Sequence, residues 1–191
     1  MSVTEIRFAG FGGQGVIMMA TVIGEAACIF ENGYSTMTQA FGPEARGGAA
    51  SAQVVLSDQP VLYPYVTEPN ILVVMAQEAY TKFSPEVRSD GILIVETDLV
   101  RVTTAVKPGV RVYGVPATRL AEQLGKKMVL NIVMTGFFTA VTGLLAAESV
   151  RNAVLDSVPA HSKDLNLRAF EAGFAYGQKV LEGSVTDLAT V

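Results

Sequence analysis

The stretch FAGFGGQGV, Phe8–Val16, decides how the chain begins to fold. A segment of strand length, Glu5–Ala9, leads into it, and a run rich in Ala, Ile and Met, Val16–Phe30, leads out. The order predicts a strand, a tight turn built on Gly10, Gly12, Gly13 and Gly15, and a helix. Glycine supplies the positive φ angles and the close backbone approach that such a turn needs. The helix start then presents unpaired N–H groups and the positive end of the helix dipole, a setting that favours an anion.

Gly10-Phe11-Gly12-Gly13-Gln14-Gly15 also satisfies the G-x-G-x-x-G pattern of dinucleotide-binding folds. Those folds require an acidic residue about 20 positions on, at the end of the second strand, to hold the ribose hydroxyls. Counting from Gly15 reaches YSTMTQAFG, which has no Asp or Glu; Glu31 falls too early and Glu44 lies in the next loop. A phosphate-binding P-loop fails as well, because Val16 and Ile17 stand where Lys and Ser or Thr are required. Both nucleotide readings lose their second half.

Farther along, Gly33–Gln39 reads as a second strand, and Ala50–Ser57 as a third whose alternation predicts one solvated face. Asn70–Ala76 (NILVVMA) and Gly91–Thr97 (GILIVET) are near-continuous β-branched runs, as expected of strands covered on both faces. Between them, Ser84 is read as the N-cap of a helix, with Pro85 at its first position and Glu86 in its first turn. Val110–Pro116 supplies a further strand, and Ala117–Leu124, Asn131–Leu145, Glu148–Val158 and Leu165–Leu181 supply helices. Strands alternating with helices predict one domain, residues 1–191, with a three-layer α/β/α architecture. The sheet is expected to be mixed but mostly parallel, since Gly33–Ser57 holds two strand candidates with no helix between them. Residues 183–191 are expected to form a frayed tail.

Half of the residues are hydrophobic and only 17% are charged, against about 25% in a typical soluble domain. The deficit predicts a surface covered in part by partner subunits. A net charge of −4 with no block of Lys or Arg argues against nucleic-acid binding. The single cysteine, Cys28, excludes an internal disulfide and any four-cysteine metal or iron–sulfur site. Lying among Ala26, Ala27 and Ile29, it is expected to be a buried, inert thiol. The single histidine, His161, stands in a polar stretch and is expected at the surface. No signal peptide is visible at Met1, and a cytoplasmic location is expected. Met128–Ala147 holds twenty residues without a charge, long enough to span a bilayer core. Its Asn131, threonines and glycines, and its lack of aromatic belts, favour instead a helix buried between the sheet and a neighbouring chain.

A second constellation follows in FGPEARGG, Phe41–Gly48, where Pro43 fixes one φ angle while Gly42, Gly47 and Gly48 free the backbone around it. Arg46 offers a planar fork suited to a carboxylate or phosphate. It could equally brace the loop by pairing with Glu44 or Glu25.

GFGGQGV followed by FGPEARGGAASAQVVLSD resembles the gamma subunit of the 2-oxoacid:ferredoxin oxidoreductases. The likeness continues through PNILVVMAQEAYTKF and VLNIVMTGFFTAVTGLL to ESVRNAVLDSV and LNLRAFEAGF, nearly the whole chain. GPEARGG is similar to the 2-oxoglutarate type, whereas pyruvate-type subunits tend to read Arg-Gly-Ala-Pro where this chain has Arg46-Gly47-Gly48-Ala49. The resemblance implies a complex that decarboxylates a 2-oxoacid on thiamine diphosphate. An electron pair passes through iron–sulfur clusters to ferredoxin, and the acyl group is transferred to coenzyme A, reversibly. It implies partners too: alpha and beta subunits, with a ferredoxin-like delta subunit. Asp90-Gly91 falls short of the Gly-Asp-Gly of a thiamine site, because Ser89 replaces the first glycine and no Asn pair follows. The cofactors are therefore expected on partner chains, with no catalytic residue in this one. The candidate ligand-facing residues are Gly12, Gly13, Gln14, Gly15, Arg46, Gly47 and Gly48. The alternatives are a stand-alone nucleotide-binding oxidoreductase, or an assembly scaffold whose glycine turn only permits tight packing.

Overall fold

The computed structural model describes residues 3–42, 48–103 and 106–185. Six strands form one sheet: β1 (Thr4–Phe11), β2 (Tyr34–Phe41), β3 (Ala49–Ser57), β4 (Ile71–Val74), β5 (Ile92–Glu96) and β6 (Arg111–Val115). Their order is β2-β3-β1-β4-β5-β6. β1, β4, β5 and β6 pair in parallel, whereas β3 runs antiparallel to both β1 and β2. Only β3 opposes the common direction, so the sheet is mixed and mostly parallel, as expected.

Helices α1 (Val16–Glu25), α3 (Ala117–Gln123), α4 (Leu130–Thr142), α5 (Ala147–Ser157) and α6 (Lys163–Leu181) contribute to the larger apolar core on one face. α2 (Gln77–Phe83) covers the other face, over a smaller core with Leu72, Val74, Leu93 and Val95. The layers are therefore unequal. α1 runs on into a π-helical turn, Ala26–Phe30, so the predicted helix over Val16–Phe30 is continuous but changes its winding at Ala26.

Three expectations change. The helix between β4 and β5 ends at the Ser-Pro pair rather than starting there: Ser84–Glu86 is a single 3₁₀ turn closing α2. Pro85 has no N–H with which to continue the ladder, and Val87 turns extended behind it. β3 is not solvated on one face: along Ala49–Ser57 only Ala49 is exposed and only Gln53 is half-buried. The segment after Ser57 folds back over the strand, and Val66 donates its N–H to Gln53 Oε1 at 2.8 Å.

The apolar helix α4 is buried on nearly all sides, but within its own chain. α6 covers it. The carbonyl of Phe170 packs where a side chain on Gly136 would sit, and the carbonyl of Val133 where one on Gly173 would sit. Thr135, Thr139 and Thr142 donate their hydroxyls to the carbonyls of Asn131, Thr135 and Phe138, each at 2.8 Å. That leaves no hydroxyl of this helix unpaired in the apolar interior. Phe138 meets Phe8 of β1 with ring centroids 5.7 Å apart, fixing α4 against the sheet. Among the described residues no helix is long and apolar enough to cross a membrane.

Candidate functional site

β1 runs two residues farther than its apolar pattern suggests, so Gly10 lies inside the strand and the turn proper is Gly12–Gly15. Gly10 is buried and must lack a side chain: a Cβ there would strike Gln14 Oε1 and come within 3.3 Å of Met75 Cβ. The Gln14 side chain occupies that space. Its Oε1 accepts from the Phe11 N–H at 2.6 Å and its Nε2 donates to the Met75 carbonyl at 2.7 Å. Met75 follows β4 and donates its own N–H to Ala9 at 2.9 Å. Gln14 thus ties the end of β1 to the end of β4, across the crevice where open α/β sheets bind ligands.

The turn closes with a Phe11 carbonyl accepting from the Gln14 N–H at 3.1 Å. Gly12 donates its N–H to the Gly48 carbonyl at 2.8 Å, and Gly42 donates to Ala49 at 2.7 Å. The glycine turn and the start of β3 are therefore joined. Arg46 and Gly47 lie outside the described residues. Gly13 and Gly15 have φ angles of 96° and 76°, and Gly15 is the left-handed N-cap of α1. Beside Gly15 packs Asn131, in the first turn of α4: a Cβ on Gly15 would lie 2.8 Å from Asn131 Cβ and closer to its amide. Neither Met75 nor Asn131 was singled out from the sequence as a neighbour of the turn, because both contacts join segments far apart in the chain.

Next to the end of β1 is a small cleft of about 170 Å³, open to solvent. Gly10, Phe11, Ala49 and Ser51 form its floor, and Glu78, Lys82 and Phe83 of α2 form one wall. The Lys82 ammonium stands 5.0 Å from the Phe83 ring centroid and is exposed. The cleft is mostly apolar, with one cation, Lys82, and one acid, Glu78, on the same wall, and the residues of the turn proper, Gly12–Gly15, do not line it. The described residues contain no group of three or more His, Cys, Asp or Glu able to hold a metal ion. Cys28 is half-buried and donates its thiol to Ser35 Oγ at 3.2 Å, and His161 is exposed.

The strand order adds a second objection to dinucleotide binding. In a Rossmann sheet the acid-bearing second strand neighbours the first; here β3 lies between β1 and β2. The carboxyl end of β2 carries Gln39 and Phe41 rather than an acid. Away from the cleft, Glu96 is fully buried at the end of β5. Its Oε1 accepts from the Thr118 N–H at 2.9 Å, while Oε2 and the Thr118 hydroxyl have no partner among the described residues. Burial raises the Glu96 carboxyl above its ordinary range, and the Thr118 N–H opposes that shift.

Residues 5–176 match the pyruvate ferredoxin/flavodoxin oxidoreductase family. The chain is 41% identical to the 2-oxoglutarate synthase subunit KorC of Methanocaldococcus jannaschii, over 92% of this chain and 95% of that protein. It is 37% identical to the ketoisovalerate oxidoreductase subunit VorA of Methanothermobacter marburgensis, over 94% of this chain but only 37% of that longer protein. The crystal structure of the gamma subunit of a keto/oxoacid ferredoxin oxidoreductase from Geobacter sulfurreducens is 34% identical. It superposes with a TM-score of 0.83, covering 93% of this chain and 97% of that one. Family match, end-to-end identity and shared fold agree: the chain belongs to the pyruvate ferredoxin/flavodoxin oxidoreductase family and is a subunit of a 2-oxoacid:ferredoxin oxidoreductase.

Proposed function

We propose that this subunit is the gamma chain of a 2-oxoglutarate:ferredoxin oxidoreductase, assembled with alpha and beta chains, a ferredoxin-like delta chain and ferredoxin as acceptor. The observation that carries the substrate is the end-to-end similarity to a 2-oxoglutarate synthase subunit. The complex joins the acyl group left by decarboxylation to coenzyme A and delivers an electron pair to ferredoxin, or runs in reverse. Such a complex, meeting coenzyme A and ferredoxin, works in the cytoplasm. One cysteine cannot supply the thiolates of a cluster, so this chain does not fit the iron–sulfur groups. Those groups and thiamine diphosphate belong to its partners in this reading.

The chain's own part is binding. The N–H groups of Gly13 and Gly15, together with Arg46 and Gly47, receive phosphate or carboxylate groups of coenzyme A or the 2-oxoacid. Gly12 and Gln14 shape the turn instead, because the Gly12 N–H and the Gln14 amide already have partners within the chain.

Co-expression with the other subunits tests the reading. Ferredoxin reduction should require coenzyme A and be fastest with 2-oxoglutarate; a preference for pyruvate or 2-oxoisovalerate refutes the substrate. Arg46→Ala in the assembled complex should raise KM for coenzyme A or the 2-oxoacid. Unchanged kinetics with weaker assembly would give Arg46 a bracing role. Titration of the chain with NAD(P)H or FAD should show no saturable binding.

A further inference from the structure

Helix α1 begins at Val16 without a cap of its own. Its first backbone bond runs from the Met19 N–H to the Gly15 carbonyl at 3.1 Å, so the N–H groups of Val16, Ile17 and Met18 have no acceptor within the helix. Gly15 stands at the N-cap with no side chain to offer them an oxygen, and no acid lies in the first turn. A Cβ on Gly13 would meet nothing within 4 Å, so the approach to these donors is open.

The place that a capping side chain on Gly15 would take is filled from α4. Asn131, the second residue of α4, is only 4% exposed, and its Nδ2 is the atom nearest to the position of a Gly15 Cβ. A cap would bring an oxygen that accepts; Asn131 brings an amide NH₂ that donates. Its backbone carbonyl accepts from Thr135, but neither atom of its side-chain amide has a hydrogen-bond partner among the described residues. A buried amide costs free energy until something supplies its partner. The segments that build this corner do not: residues 8–24 and 123–147 contain no Asp or Glu. Neither α1 nor α4 has an acid in its first turn, so the positive ends of two helix dipoles lie side by side with no counter-charge from either helix.

We propose that the start of α1 and the Asn131 amide together bind a phosphate group. The N–H groups of Val16, Ile17 and Met18 and the two of the Asn131 amide make five donors, three plus two. That is more than the roughly four lone-pair sites of a carboxylate accept, and it suits the three acceptor oxygens of a phosphate. The inference rests on the reading above, in which the phosphate belongs to coenzyme A. It adds the choice of phosphate over carboxylate, and a binding residue from an element more than a hundred positions away in the chain.

Titration of the full chain and of the assembled complex with inorganic pyrophosphate, at constant ionic strength, tests the site; KM for coenzyme A tests the ligand. The wild type should bind pyrophosphate saturably. Asn131→Ala should weaken that binding by about tenfold or more, the loss of a hydrogen bond to a charged group. Asn131→Asp should abolish it while melting no lower than the wild type at neutral pH, because its carboxylate takes the place of the anion at the two helix starts. In the complex both variants should raise KM for coenzyme A and leave KM for 2-oxoglutarate unchanged. A wild type that binds no pyrophosphate, variants that bind it equally well, or an Asn131→Asp that melts lower overturns the site. A rise in KM for 2-oxoglutarate instead makes the ligand a carboxylate and overturns the phosphate. Lost pyrophosphate binding with an unchanged KM for coenzyme A upholds the site and overturns its assignment to coenzyme A.

Discussion

Gly15→Ala should destabilise the chain far more than Gly13→Ala, although both residues sit in one turn at positive φ. Gly13 has φ 96° and open space around the position of a Cβ, so alanine there meets only left-handed backbone strain of about 1–2 kcal/mol. Restricting the unfolded chain returns about 0.4–1 kcal/mol, leaving a net loss of roughly 1 kcal/mol. Gly15 carries the same strain at φ 76° and, in addition, a Cβ 2.8 Å from Asn131 Cβ. Asn131 is buried at the start of α4 and has little room to yield, so overpacking adds about 1–3 kcal/mol. The total, near 3 kcal/mol, corresponds to a melting temperature lowered by roughly 6–12 °C in a chain of this size. Urea unfolding of both variants, and of Gly15→Ala combined with Asn131→Gly, which removes the opposing Cβ, measures the coupling. The double variant should recover 1 kcal/mol or more relative to the sum of its parts, on the order of a direct contact. Equal losses for the two glycines, or strict additivity with Asn131→Gly, would refute a turn locked by α4.

Glu96→Gln should change how stability depends on pH. Burial raises the folded-state carboxyl above the ordinary value of 4.5, so folding favours its protonated form. The stability it contributes is present below the ordinary value and is lost as pH rises through the folded one. Glutamine keeps an acceptor for Thr118 without the charge, so the variant should melt higher than wild type at neutral pH, with the gap closing in acid. A gap that widens in acid refutes the shift. Gly173→Ala drives a Cβ into the Val133 carbonyl and should cost about 2–3 kcal/mol by calorimetry; a neutral result would deny the close α4–α6 contact. Arg7→Met should cost about 2–3 kcal/mol by urea unfolding, since the Val66 carbonyl and Glu86 lose a donor together. A loss below about 0.5 kcal/mol would show that Val66 is not held there.

Local segments of this chain were legible because their signals are local. Gly10–Gly15 placed a turn between a strand and a helix, and the β-branched runs at Ile71–Val74 and Ile92–Glu96 became buried parallel strands. The missing acid after Tyr34 excluded a dinucleotide before any strand order was known. The Ser84-Pro85 pair misled because a proline after serine suits either end of a helical segment. What decided it was the packing of Ala79 and Tyr80, which set α2 earlier.

By itself, then, the sequence determined the strands and helices, the mixed parallel sheet, the shape of the glycine turn and, through its two loops, the family. Those properties depend on residues near one another in the chain. Only the tertiary structure decided that β3 separates β2 from β1, that α6 rather than a neighbouring chain buries α4, that Gln14 is used up holding the turn and that Asn131 packs against it. It also decided that residues 58–66 seal one side of β3 while holding Leu62, Tyr63 and Tyr65 in solvent. Each of these is a contact between distant segments, formed only when both have found their places on the sheet, so no window of sequence contains it.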